Sequence, residues 1–286
     1  MALKNQDKDY LLFPLLAIAL FNLVIYFPSF YHLPRSDQLC YFYFQAPHPH
    51  WFDLIFGSYA YNRTVPYTTQ DIFIFRPLLH IFMGTELWLF NYNFMLWQIT
   101  GLILHLCVLW HLLKLLLLIQ RSFFAVLLTF FFSSLLIIME MIIWQHTNGY
   151  MLFVICLLIA LYQYYPMLTQ RQIIKKNLWI CFMNLLIGCF ILELGWIYSL
   201  LLGGLLFLSL LNANRPSKGK LKTSYAPLIL CLPAVIYLAF YFIDFYSRGL
   251  TFKGGESIFQ NFTIGNMISQ GLLTVLWWFL SGIFPT

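Results

Sequence analysis

Between Leu178 and Leu211 the chain runs apolar for longer than one bilayer-spanning helix allows, and both ends of the run are basic. A transmembrane helix takes about 20 residues. Arg171, Lys175 and Lys176 precede the run; Arg215, Lys218, Lys220 and Lys222 follow it. Lys and Arg gather on the cytoplasmic side of short loops, so both flanks read as cytoplasmic and the run must cross twice. Two short helices then turn at the outer face, and Glu193-Leu194-Gly195, near the midpoint, is the plausible turn. This predicts Glu193 at the outer surface, between two helices.

The other spans follow from apolar runs punctuated by charge. Leu11 to Phe30 is the first, preceded by Lys4 and Lys8 and without a small-residue cleavage site, so it reads as a retained anchor. Residues 31 to 75 are polar, aromatic and broken by proline. Leu78 to Phe90 is too short to cross upright and is expected at the interface. Phe94 to Ile119, Phe123 to Trp144, Tyr150 to Met167, Ala226 to Tyr246 and Met267 to Phe284 are the remaining spans. The expectation is a single all-α transmembrane domain over residues 1–286, with eight spans and a cytoplasmic N-terminus. Residues 31–93 form its outer loop and interfacial helices.

Composition agrees. Hydrophobic residues make up 61% and charged residues 9%, against about 25% charged in soluble domains. Mean hydropathy is +0.78. Aromatics at 20% suit interfacial belts of Tyr and Trp, and the alternation of a membrane barrel is absent. With these spans, eleven of the sixteen Lys and Arg lie inside; Arg35, Arg63, Arg76, Arg248 and Lys253 lie outside. Both sequons, Asn62-Arg63-Thr64 and Asn261-Phe262-Thr263, also fall outside. The net charge of +6 is thus a matter of topology and calls for no nucleic-acid partner. The Lys218-Gly219-Lys220-Leu221-Lys222 stretch reads as an anchor at anionic lipid. Membrane lipid is the expected surrounding, and the Phe-, Leu- and Ile-rich, Ala-poor composition favours a bacterial inner membrane, with the endoplasmic reticulum as alternative.

The acids distribute unevenly. Only Asp7 and Asp9 fall on the cytoplasmic side; Asp37, Asp53, Asp71, Glu86, Glu140, Glu193, Asp244 and Glu256 fall on or near the outer face. Acids near the hydrocarbon are costly and mark function by default. Four separate segments bring charge to one depth: Asp37, Arg76, Glu140 and Glu193. Three of them also have a plainer reading. Asp37 serves equally as a solvated loop acid or a helix cap. Arg76 can snorkel to lipid phosphate, and Glu193 with Arg76 can form a structural ion pair. Cys107, Cys156, Cys181, Cys189 and Cys231 lie in expected helices, and Cys40 is alone in the outer loop. His48-Pro49-His50 lacks a third ligand, so no metal and no cofactor is expected.

The segment Phe75-Arg76-Pro77-Leu78-Leu79-His80, then Leu87-Trp88-Leu89-Phe90-Asn91, then Trp97 through Gly101 to His105 resembles a block recurrent in GT-C membrane glycosyltransferases. There an Arg-Pro start leads to a short helix, an Asn-containing turn and a membrane helix carrying a His. The order of the other acids is also similar: an Asp in the first outer loop, an acid four residues before Trp144, and a Glu in a tight interhelical turn. Protein O-mannosyltransferases and bacterial polyprenyl-phosphate-dependent sugar transferases share this pattern, over roughly residues 10 to 210 here.

The resemblance implies a GT-C-like fold and transfer of a sugar from a polyprenyl- or dolichyl-phosphate carrier to a protein, glycan or lipid acceptor at the extracytoplasmic face. It implies Asp37 as catalytic base and Arg76 as the group holding the donor phosphate. Glu140, Glu193 and His105 would shape the pocket, or position Arg76. Many relatives carry an acidic pair where this chain has Asp37-Gln38, which makes Asp53 the reserve base. Relatives also continue beyond the point where this chain stops, so a C-terminally truncated product is one expectation. A flippase or transporter of a lipid-linked intermediate, and an inactive scaffold of the same fold, are the competing readings; internal repeats, expected of a transporter, are not found.

Overall fold

The computed structural model describes residues 5–31, 75–119, 122–135, 148–170, 173–211 and 225–247. Among them the chain is all-helical, with eight α-helices and one 3₁₀ turn. The α-helices are α1 (Asn5–Tyr26), α2 (Pro77–Phe90), α3 (Phe94–Ile119), α4 (Ser122–Ser133), α5 (Asn148–Gln170), α6 (Lys175–Ile191), α7 (Leu194–Leu211) and α8 (Ala226–Ser247). Four helical stretches, Phe94–Ile119, Asn148–Thr169, Leu194–Leu211 and Ala226–Asp244, are long and apolar enough to cross a bilayer. This is a helical membrane protein. The last expected span, most of the outer loop and the Lys218 loop lie outside the described residues.

The long apolar run divides as its basic flanks require. α6 ends at Ile191 and α7 begins at Leu194. The amide of Leu192 donates to the Gly188 carbonyl at 2.9 Å, and that of Gly195 to the Leu192 carbonyl at 2.9 Å, closing a turn around Glu193. Gly195 is obligatory here: a Cβ on it would stand 2.5 Å from the Cys189 nitrogen and 2.6 Å from the Cys189 Cα. These are backbone atoms that cannot yield.

α2 begins at Pro77, a residue suited to a first helical position because its missing N–H would be unpaired there anyway. The Arg76 carbonyl accepts the first helical bond from His80 at 3.1 Å, and the Arg76 side chain makes no cap. α2 ends at Phe90, and its C-cap Asn91 has φ 47° and ψ −128°, a positive-φ conformation uncommon for a residue other than glycine. The Trp97 indole donates to the Asn91 carbonyl at 3.1 Å and fixes the α2–α3 corner.

The expected span Phe123 to Trp144 differs. α4 stops at Ser133. The Ser133 and Ser134 hydroxyls bond back to the Phe130 carbonyl at 2.7 and 3.2 Å, while the Leu135 amide reaches only the Phe132 carbonyl. Serine hydroxyls compete with backbone amides for those carbonyls and weaken the helix at this point. Residues 136–147 lie outside the described residues.

α5 packs along α6 and α3, α7 along α8, and α6 along α8. Ala160, Met167, Cys181, Leu206 and Leu230 form the main core. Gly203 lets α7 approach α8: a Cβ there would meet the Cys231 sulfur and stand 2.9 Å from the Pro227 carbonyl. Small residues at such crossings are the usual device in membranes, where close packing replaces the hydrophobic effect as the force between helices. The starts of α3, α5 and α7 and the ends of α6 and α8 therefore meet at one end of the bundle.

Candidate functional site

At that end, Arg76 and Glu193 form a bidentate ion pair. The guanidinium Nε donates to Glu193 Oε2 and Nη2 to Oε1. Nη1 donates to the Tyr150 hydroxyl at 3.1 Å, and the guanidinium carbon is 5.8 Å from the centre of the Tyr150 ring. Three segments thus meet: the lead-in to α2, the first turn of α5, and the α6–α7 turn. The Arg76 side chain is 17% exposed and that of Glu193 is 42% exposed, so the pair opens at the surface of the bundle end.

Both groups are charged. Burial pulls the Glu193 carboxyl upward, but the hydrogen bonds and charge of Arg76 outweigh it and hold the carboxyl below its ordinary value. Burial pulls Arg76 downward, and the Glu193 bonds and charge, with Tyr150, more than restore it. His80, one turn along α2, is 4% exposed. Burial first and the Arg76 charge second push it down to about 4, so it is neutral.

An aromatic wall stands behind the pair. The Phe75 ring packs against Phe190, Tyr237 and Tyr241 with centroids 6.1, 5.7 and 6.3 Å away. The Tyr237 hydroxyl donates to the Phe75 carbonyl at 3.1 Å. Residue 75 is therefore held by α6 and α8 together, and Arg76 leaves the wall in a fixed direction.

Of the residues singled out in the sequence, the structure brings Arg76 and Glu193 together. His105 is elsewhere: its Nε2 is 3.1 Å from Asn22 Oδ1, and its ring lies edge-on to Tyr26 at 5.6 Å. Tyr26 in turn donates to the Ser133 carbonyl at 3.1 Å. That buried network ties α1, α3 and α4, and among the described residues it makes no contact with Arg76 or Glu193. Asp37, Asp53 and Glu140 lie outside the described residues. No group of three or more metal-ligating side chains occurs among the described residues.

Sequence reasoning missed Tyr150, Asn148 and a role for Glu86. Asn148 Nδ2 donates to Glu86 Oε1 at 2.9 Å and to the Trp97 carbonyl at 3.2 Å. Glu86 and Asn148 are 3% and 0% exposed. One signal was available: Glu86 is an acid in a short apolar helix with no basic residue within a turn on either side.

The chemistry open to the site follows from its donors. Arginine has five N–H groups in a planar fork. Three are committed here, leaving one on each Nη. The Tyr150 oxygen accepts from Arg76, so its own O–H remains to donate. Two guanidinium N–H groups and a phenol on a partly open surface suit an oxyanion; Arg forks bind phosphate bidentately. Comparison with protein-family models, with curated proteins and with solved structures finds no match.

Proposed function

We propose that the chain is a GT-C-type glycosyltransferase that moves a sugar from a polyprenyl- or dolichyl-phosphate carrier to an acceptor at the extracytoplasmic membrane face. The observation that carries this reading is the oxyanion-suited cluster of Arg76, Tyr150 and Glu193, drawn from three segments to one end of a membrane helix bundle. Arg76 and Glu193 are also among the residues through which the sequence resembles that superfamily.

In this reading the lipid phosphate takes the free Nη edge of Arg76 and the Tyr150 O–H. Glu193 keeps its two bonds to the guanidinium and holds the fork in place. Asp37 accepts the proton of the acceptor hydroxyl as its oxygen attacks the anomeric carbon; Asp53 is the reserve for that role. A base within hydrogen-bond reach of the nucleophile lowers the barrier in this way. The anomeric carbon–oxygen bond breaks toward phosphate, and Arg76 stabilises the charge that develops there. The configuration inverts, and no covalent enzyme intermediate forms. The eight-span topology, with the N-terminus inside and a bacterial inner membrane as the site, belongs to the same proposal.

The test is mass spectrometry of lipid-linked sugars and surface glycans in a deletion strain complemented with wild type, Asp37→Asn or Arg76→Lys. The expected result is loss of one glycan, accumulation of its polyprenyl-phosphate sugar, and restoration by wild type alone. Full restoration by both variants overturns the transferase reading. The bidentate pair is equally suited to a purely structural clamp, and restoration by Arg76→Met/Glu193→Leu, which replaces the pair with apolar contact, would establish that instead.

A further inference from the structure

Tyr150 is placed by its neighbour Asn148, and Asn148 by Glu86. Three consecutive residues at the start of α5 meet α2. The Asn148 amide binds Glu86, a Cβ on Gly149 would run into the Leu79 side chain, and the Tyr150 hydroxyl binds Arg76. The first turn of α5 meets α2 at Leu79, Phe82 and Glu86, so whatever fixes Asn148 fixes the height at which Tyr150 meets Arg76.

The hydrogen-bond count at Glu86 and Asn148 does not close for an ionised acid. The Trp97 carbonyl only accepts, so the Asn148 nitrogen must face it, and that orients the whole amide. Both amide hydrogens are then spent, one on Trp97 and one on Glu86 Oε1. Glu86 Oε2 and Asn148 Oδ1 remain, both buried, both acceptors, and both without a hydrogen-bond partner among the described residues. No cation among those residues pairs with Glu86. The acid sits on the buried face of α2 with Leu79, Met83 and Leu87. An unpaired buried acceptor is costly and a charged one more so. A proton on Oε2 removes its charge and turns it from an unpaired acceptor into a donor, for which Asn148 Oδ1, on the amide already bonded to Oε1, is the unpaired acceptor.

We infer that Glu86 is held as the neutral carboxylic acid, and that its mutual pair with Asn148 is the positioning clamp that sets Tyr150 against Arg76. Burial, opposed by the Asn148 bond, pushes the Glu86 carboxyl up to about 8, in the same direction. The inference concerns positioning: Glu86 acts through Asn148 and Tyr150 and touches no substrate. Its link to sugar transfer rests on the transferase reading, whereas the protonation state and the Arg76 geometry do not.

The test uses the full chain in lipid nanodiscs at neutral pH. Infrared difference spectra between wild type and Glu86→Gln are expected to show loss of one protonated-carboxyl band; absence of that band overturns the neutral acid. Arg76 geometry is read from its Nε–H resonance in ¹⁵N-arginine spectra, assigned by its absence in Arg76→Lys. Gln keeps the length of Glu86 and offers an acceptor oxygen beside a donating group as the neutral acid does, with one N–H more than the acid has, so Glu86→Gln is expected to keep the wild-type resonance. Glu86→Asp keeps the acid but falls short by a methylene, and is expected to shift it. Sugar transfer should follow the same order, with Glu86→Asp down roughly ten- to a hundredfold, as small misplacements of a binding group produce. Both variants resembling wild type, both shifting, or the reverse order each overturn the clamp. If the resonance follows the expected order while wild type transfers no sugar, the transferase reading fails and the clamp stands.

Discussion

Arg76 stands at the head of a helix, where the backbone dipole is positive and a cation is poorly placed. Glu193 offsets that, and Arg76 in turn keeps Glu193 charged at the head of α7, where an acid is well placed. The pH dependence follows from the sign of the Glu193 shift. Its carboxyl lies below the ordinary value in the fold. Its contribution is therefore fully present above the ordinary carboxylate range and is lost as pH falls through the depressed value. Melting curves of wild type in nanodiscs should drop on that acid limb, and Glu193→Gln should flatten it. At neutral pH Glu193→Gln should cost only about 1 kcal/mol, because Glu193 is 42% exposed and solvent screens the pair. Arg76 and Glu193 could be placed at one depth from the sequence, since basic flanks and apolar runs fix depth. The sequence offered their ion pair as one reading but could not single it out, because they are 117 residues apart and several partners share that depth.

Among elements, the α6–α7 turn was legible because two facts acted together: a run too long for one crossing and cationic residues on both sides. The early end of α4 was not, because Ser133 and Ser134 read as tolerable in a membrane helix until their hydroxyls are seen taking backbone carbonyls. Adjacent glycines in α7 give a contrast that the sequence cannot rank. Gly203 faces Cys231 and the Pro227 carbonyl, whereas a Cβ on Gly204 meets nothing within 4 Å. Gly203→Ala should destabilise by about 1–3 kcal/mol through overpacking. Gly204→Ala should be neutral, or stabilising by up to about 1 kcal/mol, through helix propensity. Thermal melts of the two single variants against wild type check this; equal shifts would deny the close α7–α8 approach.

For the whole molecule, the prediction is topological. Leu194 is 46% exposed beside Glu193. In a background without native cysteines, Leu194→Cys should react with a membrane-impermeant thiol reagent from the outer side of intact cells. Lys218→Cys should react only once the membrane is opened. The reverse pattern would move the site to the cytoplasm and end the transferase mechanism. The sequence by itself determined the membrane-helical class and the division of the Leu178–Leu211 run at Glu193. Those depend on hydropathy, length and loop charge, which are local and additive along the chain. The tertiary structure decided that Arg76 is held by Glu193 and Tyr150, that His105 belongs with Asn22 and Tyr26, and that Glu86 meets Asn148. Those depend on which helix faces touch, and in an apolar chain many faces are nearly equivalent until close packing at glycines such as Gly149, Gly195 and Gly203 selects one arrangement.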